Sequence, residues 1–165
     1  MNNRNNARQL FISCLYLLGS LFMLSAYADE VTIDYGGGTY TGEISHGMPH
    51  GDGTWTFSDG RRFSGGFRRG RFYGHIDAIY SDGSRYRGEF IDGLRHGPGA
   101  VTKPDGSTYV GEFSNDKRHG EGVRTYADGS KYVGEYRRGA RWNGTAYDKD
   151  RNVSGTYSEG IRTEE

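Results

Sequence analysis

The sequence predicts an all-β protein: a single elongated antiparallel meander of repeated β-hairpins, with about 12 short strands. Three observations carry this. Glycine supplies 28 of 165 residues against only 3 prolines, so the chain is neither collagen-like nor a proline-rich linker. Beyond residue 28 the one leucine is Leu94, whereas 11 tyrosines, 6 phenylalanines and 2 tryptophans remain. Helices bury themselves with Leu, Ala and Met, so a bundle is excluded, while glycine with aromatics marks strands joined by tight turns. Third, several residue columns recur with a step of 23. Lys+Arg and Asp+Glu are balanced at 21 each, which argues against a protein that coats nucleic acid.

The first segment stands apart. Arg4 and Arg8 precede nineteen uncharged residues, Leu10 to Ala28, closing on Ala26-Tyr27-Ala28 before Asp29-Glu30. A basic start, an apolar centre and an A-x-A exit read as a signal peptide over residues 1–28, and hence as export to the periplasm or the outside. The alternative is an N-terminal membrane anchor, since nineteen uncharged residues just span a bilayer. Phe11-Ile12-Ser13 before Cys14 is a poor lipobox. Cleavage after Ala28 leaves 137 residues without cysteine, and so without a disulfide or thiolate metal site. Losing two arginines makes the net charge −2.

Aromatic-x-Gly recurs at Tyr40, Phe63, Tyr86, Tyr109 and Tyr132. Asp-Gly recurs at Asp59, Asp82, Asp105 and Asp128, and a glutamate at Glu43, Glu89, Glu112 and Glu135, with Gly66 in the second place. One unit reads as a strand Tyr109–Phe113, a six-residue loop Ser114–His119, a second strand from Gly120 to Ala127, and Asp128-Gly129 as a two-residue type I′ turn. The units are 40–62, 63–85, 86–108, 109–131 and 132–152, called one to five below. Residues 29–39 form an N-terminal half-repeat, 153–160 a C-terminal one, and 161–165 an acidic tail expected to be free.

The pattern Y-x-G-E-F-x-x-G-x-x-H-G-x-G, ending in D-G, resembles the MORN (membrane occupation and recognition nexus) repeat, and Tyr86 to Gly99 fits it without a mismatch. The resemblance covers residues 40 to about 160. Unit two departs from it at Phe63, Gly66, Tyr73 and Ile76, and unit five at Trp142-Asn143-Gly144 and Asp150-Arg151-Asn152. The resemblance implies a non-enzymatic scaffold for a protein partner, with self-association in some members, and the family name points to membranes. Some relatives carry lipid kinase or lysine methyltransferase domains, which need more chain than the repeat leaves here.

Alternation puts Tyr, Gly and Phe of unit positions one, three and five on one face, with glycine making room for rings to cross the backbone. If the two-residue turn holds, parity puts Phe57, Tyr80, Lys103 and Tyr126 on the other face, with Trp55 and the glutamates. Trp55, Phe57, Tyr80 and Tyr126, with Phe72 and Tyr73, are therefore the candidate partner-binding residues. Arg61, Arg62, Arg68, Arg69 and Arg71 form a basic loop suited to an anionic surface. A homodimer through the open edge strands is a further expectation.

No catalytic residue, metal site, cofactor or nucleic-acid partner is expected. His50, His96 and His119 recur two strands apart, roughly 10 Å, too far to share a zinc ion, and read as turn formers. The evenly spaced glutamates lack the contrasting environments that divide an acid from a base and read as cross-strand acceptors. Asp148, Asp150, Asn152, Ser154 and Glu159 match EF-hand loop spacing, but Val153 stands where the turn needs glycine.

Overall fold

The computed structural model describes residues 30–164; the leader read over residues 1–28 lies outside them. The described chain is one open sheet of 13 antiparallel strands in strict sequence order. They are β1 (Val31–Tyr35), β2 (Gly38–Ser45), β3 (Met48–Thr56), β4 (Arg62–Arg68), β5 (Arg71–Ile79), β6 (Arg85–Ile91) and β7 (Leu94–Thr102). Then come β8 (Thr108–Ser114), β9 (Lys117–Thr125), β10 (Lys131–Arg137), β11 (Ala140–Tyr147), β12 (Val153–Ser158) and β13 (Ile161–Thr163). The extra strand comes from the expected free tail: Ile161, Arg162 and Thr163 pair with Ser158, Tyr157 and Thr156. Glu159-Gly160 supplies the turn, both residues taking positive φ.

The two kinds of connection exchange places relative to the sequence reading. The tight type I′ turns lie within units: Arg69-Gly70, Asp92-Gly93, Asn115-Asp116 and Arg138-Gly139 all have both residues at positive φ. The Asp-Gly connections between units are instead three-residue loops. Tyr126 and Ser130 close one by Tyr126 N–H···O=C Ser130 at 2.9 Å, and the Gly129 N–H donates to Tyr126 O at 3.0 Å. Only the glycine is left-handed there. The aspartate keeps a right-handed backbone because its carboxylate accepts from the amide two residues on: Ser84 N to Asp82 at 2.8 Å, Ser107 N to Asp105 at 2.8 Å and Ser130 N to Asp128 at 3.0 Å. This is a type I turn closed by a glycine bulge, the three-residue solution for a hairpin.

The extra loop residue inverts the expected parity. Trp55 stands opposite Tyr40 and Phe63 in register, on the aromatic face rather than with the glutamates. Phe57 and Tyr80 pack against the same buried cluster. That cluster includes Phe63, Ile76, Tyr86, Phe90, Tyr109, Phe113, Tyr132 and Tyr136. Successive rings meet edge to face, as Tyr86 with Phe90 and Phe113 at 5.3 Å each and Tyr109 with Tyr136 at 5.2 Å, the arrangement that ring quadrupoles favour. A single layer thus makes its own core by running rings along one face.

The histidines are not turn formers. His50, His96 and His119 lie within β3, β7 and β9, and the last two stand opposite Glu89 and Glu112. The glycine after each takes the left-handed conformation: Gly51 (φ +60), Gly97 (φ +60) and Gly120 (φ +57). It sits at a bulge, where the register slips between Gly88 and Glu89 and again between Gly111 and Glu112.

Candidate functional site

The aromatic face rests on one repeated contact. A Cβ on Gly53, Gly99 or Gly122 would fall 2.3, 2.5 or 2.6 Å from the hydroxyl of Tyr40, Tyr86 or Tyr109. Those rings therefore lie across the cross-strand glycine, as the sequence implies. Each hydroxyl reaches over to donate to a backbone carbonyl: Tyr40 to Glu43 at 2.9 Å, Tyr86 to Glu89 at 3.1 Å, Tyr109 to Glu112 at 2.9 Å and Tyr132 to Glu135 at 3.0 Å. Burial pushes the phenols of Tyr40, Tyr86 and Tyr136 up to about 12.

Unit two uses a different solution. Phe63 has no hydroxyl, and fully buried Ile76 replaces the glycine. Phe72 then joins Phe63, Phe67 and Phe90 with centroids at 4.7, 5.5 and 5.4 Å. Trp55 lies 4.9 Å from Phe57 and 5.8 Å from Phe72, and Tyr80 lies 5.8 Å from Phe63. Four candidate residues, Trp55, Phe57, Phe72 and Tyr80, thus form one half-buried patch near the N-terminal end. Tyr126 is on the same face but follows β9, four strands beyond Tyr80, which follows β5, and there its hydroxyl accepts from Arg141. Tyr73 is separate: it is exposed, and the Arg68 guanidinium lies 4.4 Å from its ring centroid.

The five candidate arginines also divide. Arg61 pairs with Asp59 at 2.8 Å and stacks on Phe57. Arg62, Arg68, Arg69 and Arg71 are exposed and have no ion pair among the described residues. Phe67 pairs with Phe72 and Arg68 with Arg71, so Arg68 and Arg71 point away from the aromatic face. Gly66 stands where other units place a glutamate, which removes the nearest carboxylate of the repeat.

Sequence reasoning missed a second arginine set. Arg95, Arg118 and Arg141 share the 23-residue step, and that step was the available signal. Arg95 lies 5.6 Å from the Tyr86 centroid and 5.2 Å from that of Phe113. Arg118 lies 5.7 Å from Tyr109 and 4.9 Å from Tyr136. Arg141 lies 5.1 Å from both Tyr132 and Tyr157. Each guanidinium is within the range of cation–π attraction to two rings. Phe72 fills this column in unit two and Pro49 in unit one.

Two of the four glutamates brace strands: Asp52 N donates to Glu43 at 3.3 Å, and Asn143 Nδ2 to Glu135 at 3.0 Å. Glu89 and Glu112 stand opposite His96 and His119 without a side-chain hydrogen bond among the described residues. The Arg137 guanidinium holds the Glu135 carboxyl below its usual range. The EF-hand-like residues are not brought together. Asp148 accepts from Asp150 N and Asn152 N within its own loop, while Glu159 lies at the far end of β12. Among the described residues no three His, Cys, Asp or Glu side chains gather as metal ligands. What these elements do assemble is rings and guanidinium forks, groups that recognise by stacking and charge-assisted hydrogen bonds.

A comparison with curated proteins returns no match. Among solved structures, the TCP domain of SAS-4 (dCPAP) from Drosophila melanogaster, in complex with a proline-rich motif of Ana2 (dSTIL), aligns over 91% of this chain and 97% of that one. The identity is 11% and the TM-score 0.37, too low for the likeness to bear on fold or binding. The family model for the MORN repeat matches residues 40–61, 86–108 and 109–131. Unit two, with its rebuilt aromatic contact, falls outside the matched segments. The sheet runs unbroken through matched and unmatched units alike, and at units one, three and four the chain carries MORN repeats.

Proposed function

We propose that this chain is a non-enzymatic interaction module, exported from the cytoplasm, that presents its aromatic face to a protein partner. The observation that carries the reading is the patch of Trp55, Phe57, Phe72 and Tyr80, over which no second layer of the described residues lies. Half-buried aromatics beside arginines have the composition of interface centres. A photo-crosslinking residue at Phe57 or Tyr80, tested in the native compartment, is expected to give one discrete protein adduct. The same residue at Val110 or Val123, exposed on the other face, is expected to give none. Adducts from the valine positions alone would move docking to that face, and none from either would sink the reading. Export rests on the leader: the extracytoplasmic protein should begin at Asp29, whereas a retained start makes the leader an anchor.

The open edges β1 and β13 offer a route to a homodimer, checked by sedimentation equilibrium. A second reading, a peripheral adaptor on anionic membranes, is favoured by Arg62, Arg68, Arg69 and Arg71, which have no ion pair among the described residues. Sedimentation with anionic vesicles should then fall with salt and vanish when these four arginines become glutamates; equal binding to neutral vesicles would exclude it.

A further inference from the structure

The repeat is broken at two neighbouring places, and both breaks put a cation into the same cleft. Phe57, Tyr80 and Tyr126 share a column in which Lys103 stands as the exception. Trp55, Ala78 and Val101 share another, continued by Ala146 opposite Tyr132, in which Arg124 is the exception. Arg124 pairs in register with Tyr109 and Tyr132, so it emerges on the aromatic face. The missing aromatic at Lys103 leaves a cleft over Tyr109 and Phe113. Lys103 and Arg124 line one end of it, and Arg118 and Arg95 the other.

Three carboxylates act on this cluster. Asp116 lines the cleft and accepts from Arg95 Nε at 3.1 Å. Asp105, near Lys103 and Arg124, and Asp82, near Lys103, lie outside the lining and accept from the Ser107 and Ser84 amides at 2.8 Å each. Arg118 gives one nitrogen to Gly139 O at 3.0 Å. Lys103, Arg118 and Arg124 have no ion pair among the described residues. The cations arrive from a loop and two strands, so their donors are not coplanar. That arrangement suits a tetrahedral oxyanion, which accepts in all directions, better than a planar carboxylate. Arg118 and Arg124 stand six residues apart on β9, about 20 Å of strand, so a single small ion does not reach both ends.

We propose that this cleft binds an elongated oligoanion carrying phosphoryl or sulfo groups. It adjoins the N-terminal patch at Tyr80, which lies near Arg95 and Asp116, but shares no lining residue with it, and it stands whether or not that patch docks a protein. The test is calorimetric titration of the protein with short-chain inorganic polyphosphate, a sulfated oligosaccharide and polyglutamate. Saturable binding of one of the first two, tighter than polyglutamate and weakening with salt, is the expected result, and the tighter of the two identifies the source. The Lys103→Tyr/Arg124→Val double variant restores the residues that the repeat uses elsewhere. It should keep the wild-type melting curve and bind at least about tenfold more weakly. Lys103→Gln/Arg124→Gln gives the same reading if the first variant misfolds. Arg68→Glu/Arg69→Glu should bind as the wild type does. No saturable binding, equal affinity for polyglutamate, undiminished binding by both double variants, or equal loss in the Arg68/Arg69 variant would each overturn the proposal.

Discussion

Units two and three place different side chains at the same points of one sheet. In unit three the Tyr86 ring crosses Gly99 and its hydroxyl finds the Glu89 carbonyl. In unit two Phe63 lacks that hydroxyl, and Ile76 fills the volume that the glycine leaves open elsewhere. Unit three then holds Arg95 between two rings, where unit two places Phe72 among four. The repeat therefore preserves a filled volume, reached by a hydrogen-bonded tyrosine on glycine or by hydrocarbon alone. The exchange works only when both members of the cross-strand pair change together.

The comparison can be broken most severely with alkali. Tyr40, Tyr86 and Tyr136 have phenols raised to about 12 from an ordinary value of 10.0. A raised group keeps its full stabilisation below the unfolded value and loses it as pH climbs through the folded one. The fold should hold at pH 10 and be lost toward pH 12, read by circular dichroism alongside tyrosinate absorbance. Unfolding complete below pH 10 would contradict this. Next in size, Ile76→Ala should cost about 4 kcal/mol in urea unfolding, because the hydrocarbon solution leaves a cavity when cut back. Gly122→Ile should cost about 3 kcal/mol by driving a side chain into the Tyr109 ring. Adding Tyr109→Phe should recover about 1 kcal/mol, since the pair then imitates unit two. A purely additive double variant would refute the exchange.

The smallest effect has the opposite sign. Tyr136 occupies a column that holds Phe67, Phe90 and Phe113, and its buried hydroxyl has no partner among the described residues. Tyr136→Phe should raise stability by about 1 kcal/mol.

Much of this fold was legible because a period is visible in letters alone. The 23-residue step located the hairpins, and aromatic-x-Gly-x-aromatic alternation implied rings crossing glycine. The turns were not legible in the same way. Asp-Gly suits a two-residue turn, but the sequence does not display that Asp82 binds the Ser84 amide and holds its own backbone right-handed. That one choice carried Phe57, Tyr80 and Trp55 to the opposite face from the one expected. Of the candidate partner residues, Trp55, Phe57, Phe72 and Tyr80 nevertheless converge, because β3, β4 and β5 are neighbours in the sheet and put these side chains on one face. Arg95, Arg118 and Arg141 were on the same period, but stacking between rings is a property of the folded face. Ile161–Thr163 fell within the stretch expected to be a free acidic tail, yet pairing to β12 requires only backbone groups.

Every strand pairs only with its neighbours in sequence, and the tips of the tight turns are stitched backward as well. Gly70 N–H donates to Pro49 O, Gly93 to Phe72, Asp116 to Arg95 and Gly139 to Arg118, all at 2.8–3.0 Å. No distant segment must be found before a new strand can be laid down. Such a chain assembles like a zipper, quickly and from any starting point, because little loop entropy is spent per closure. Lengthening it by one unit adds a tooth without disturbing those already closed, so in this architecture size is an adjustable quantity and the ends are where opening begins.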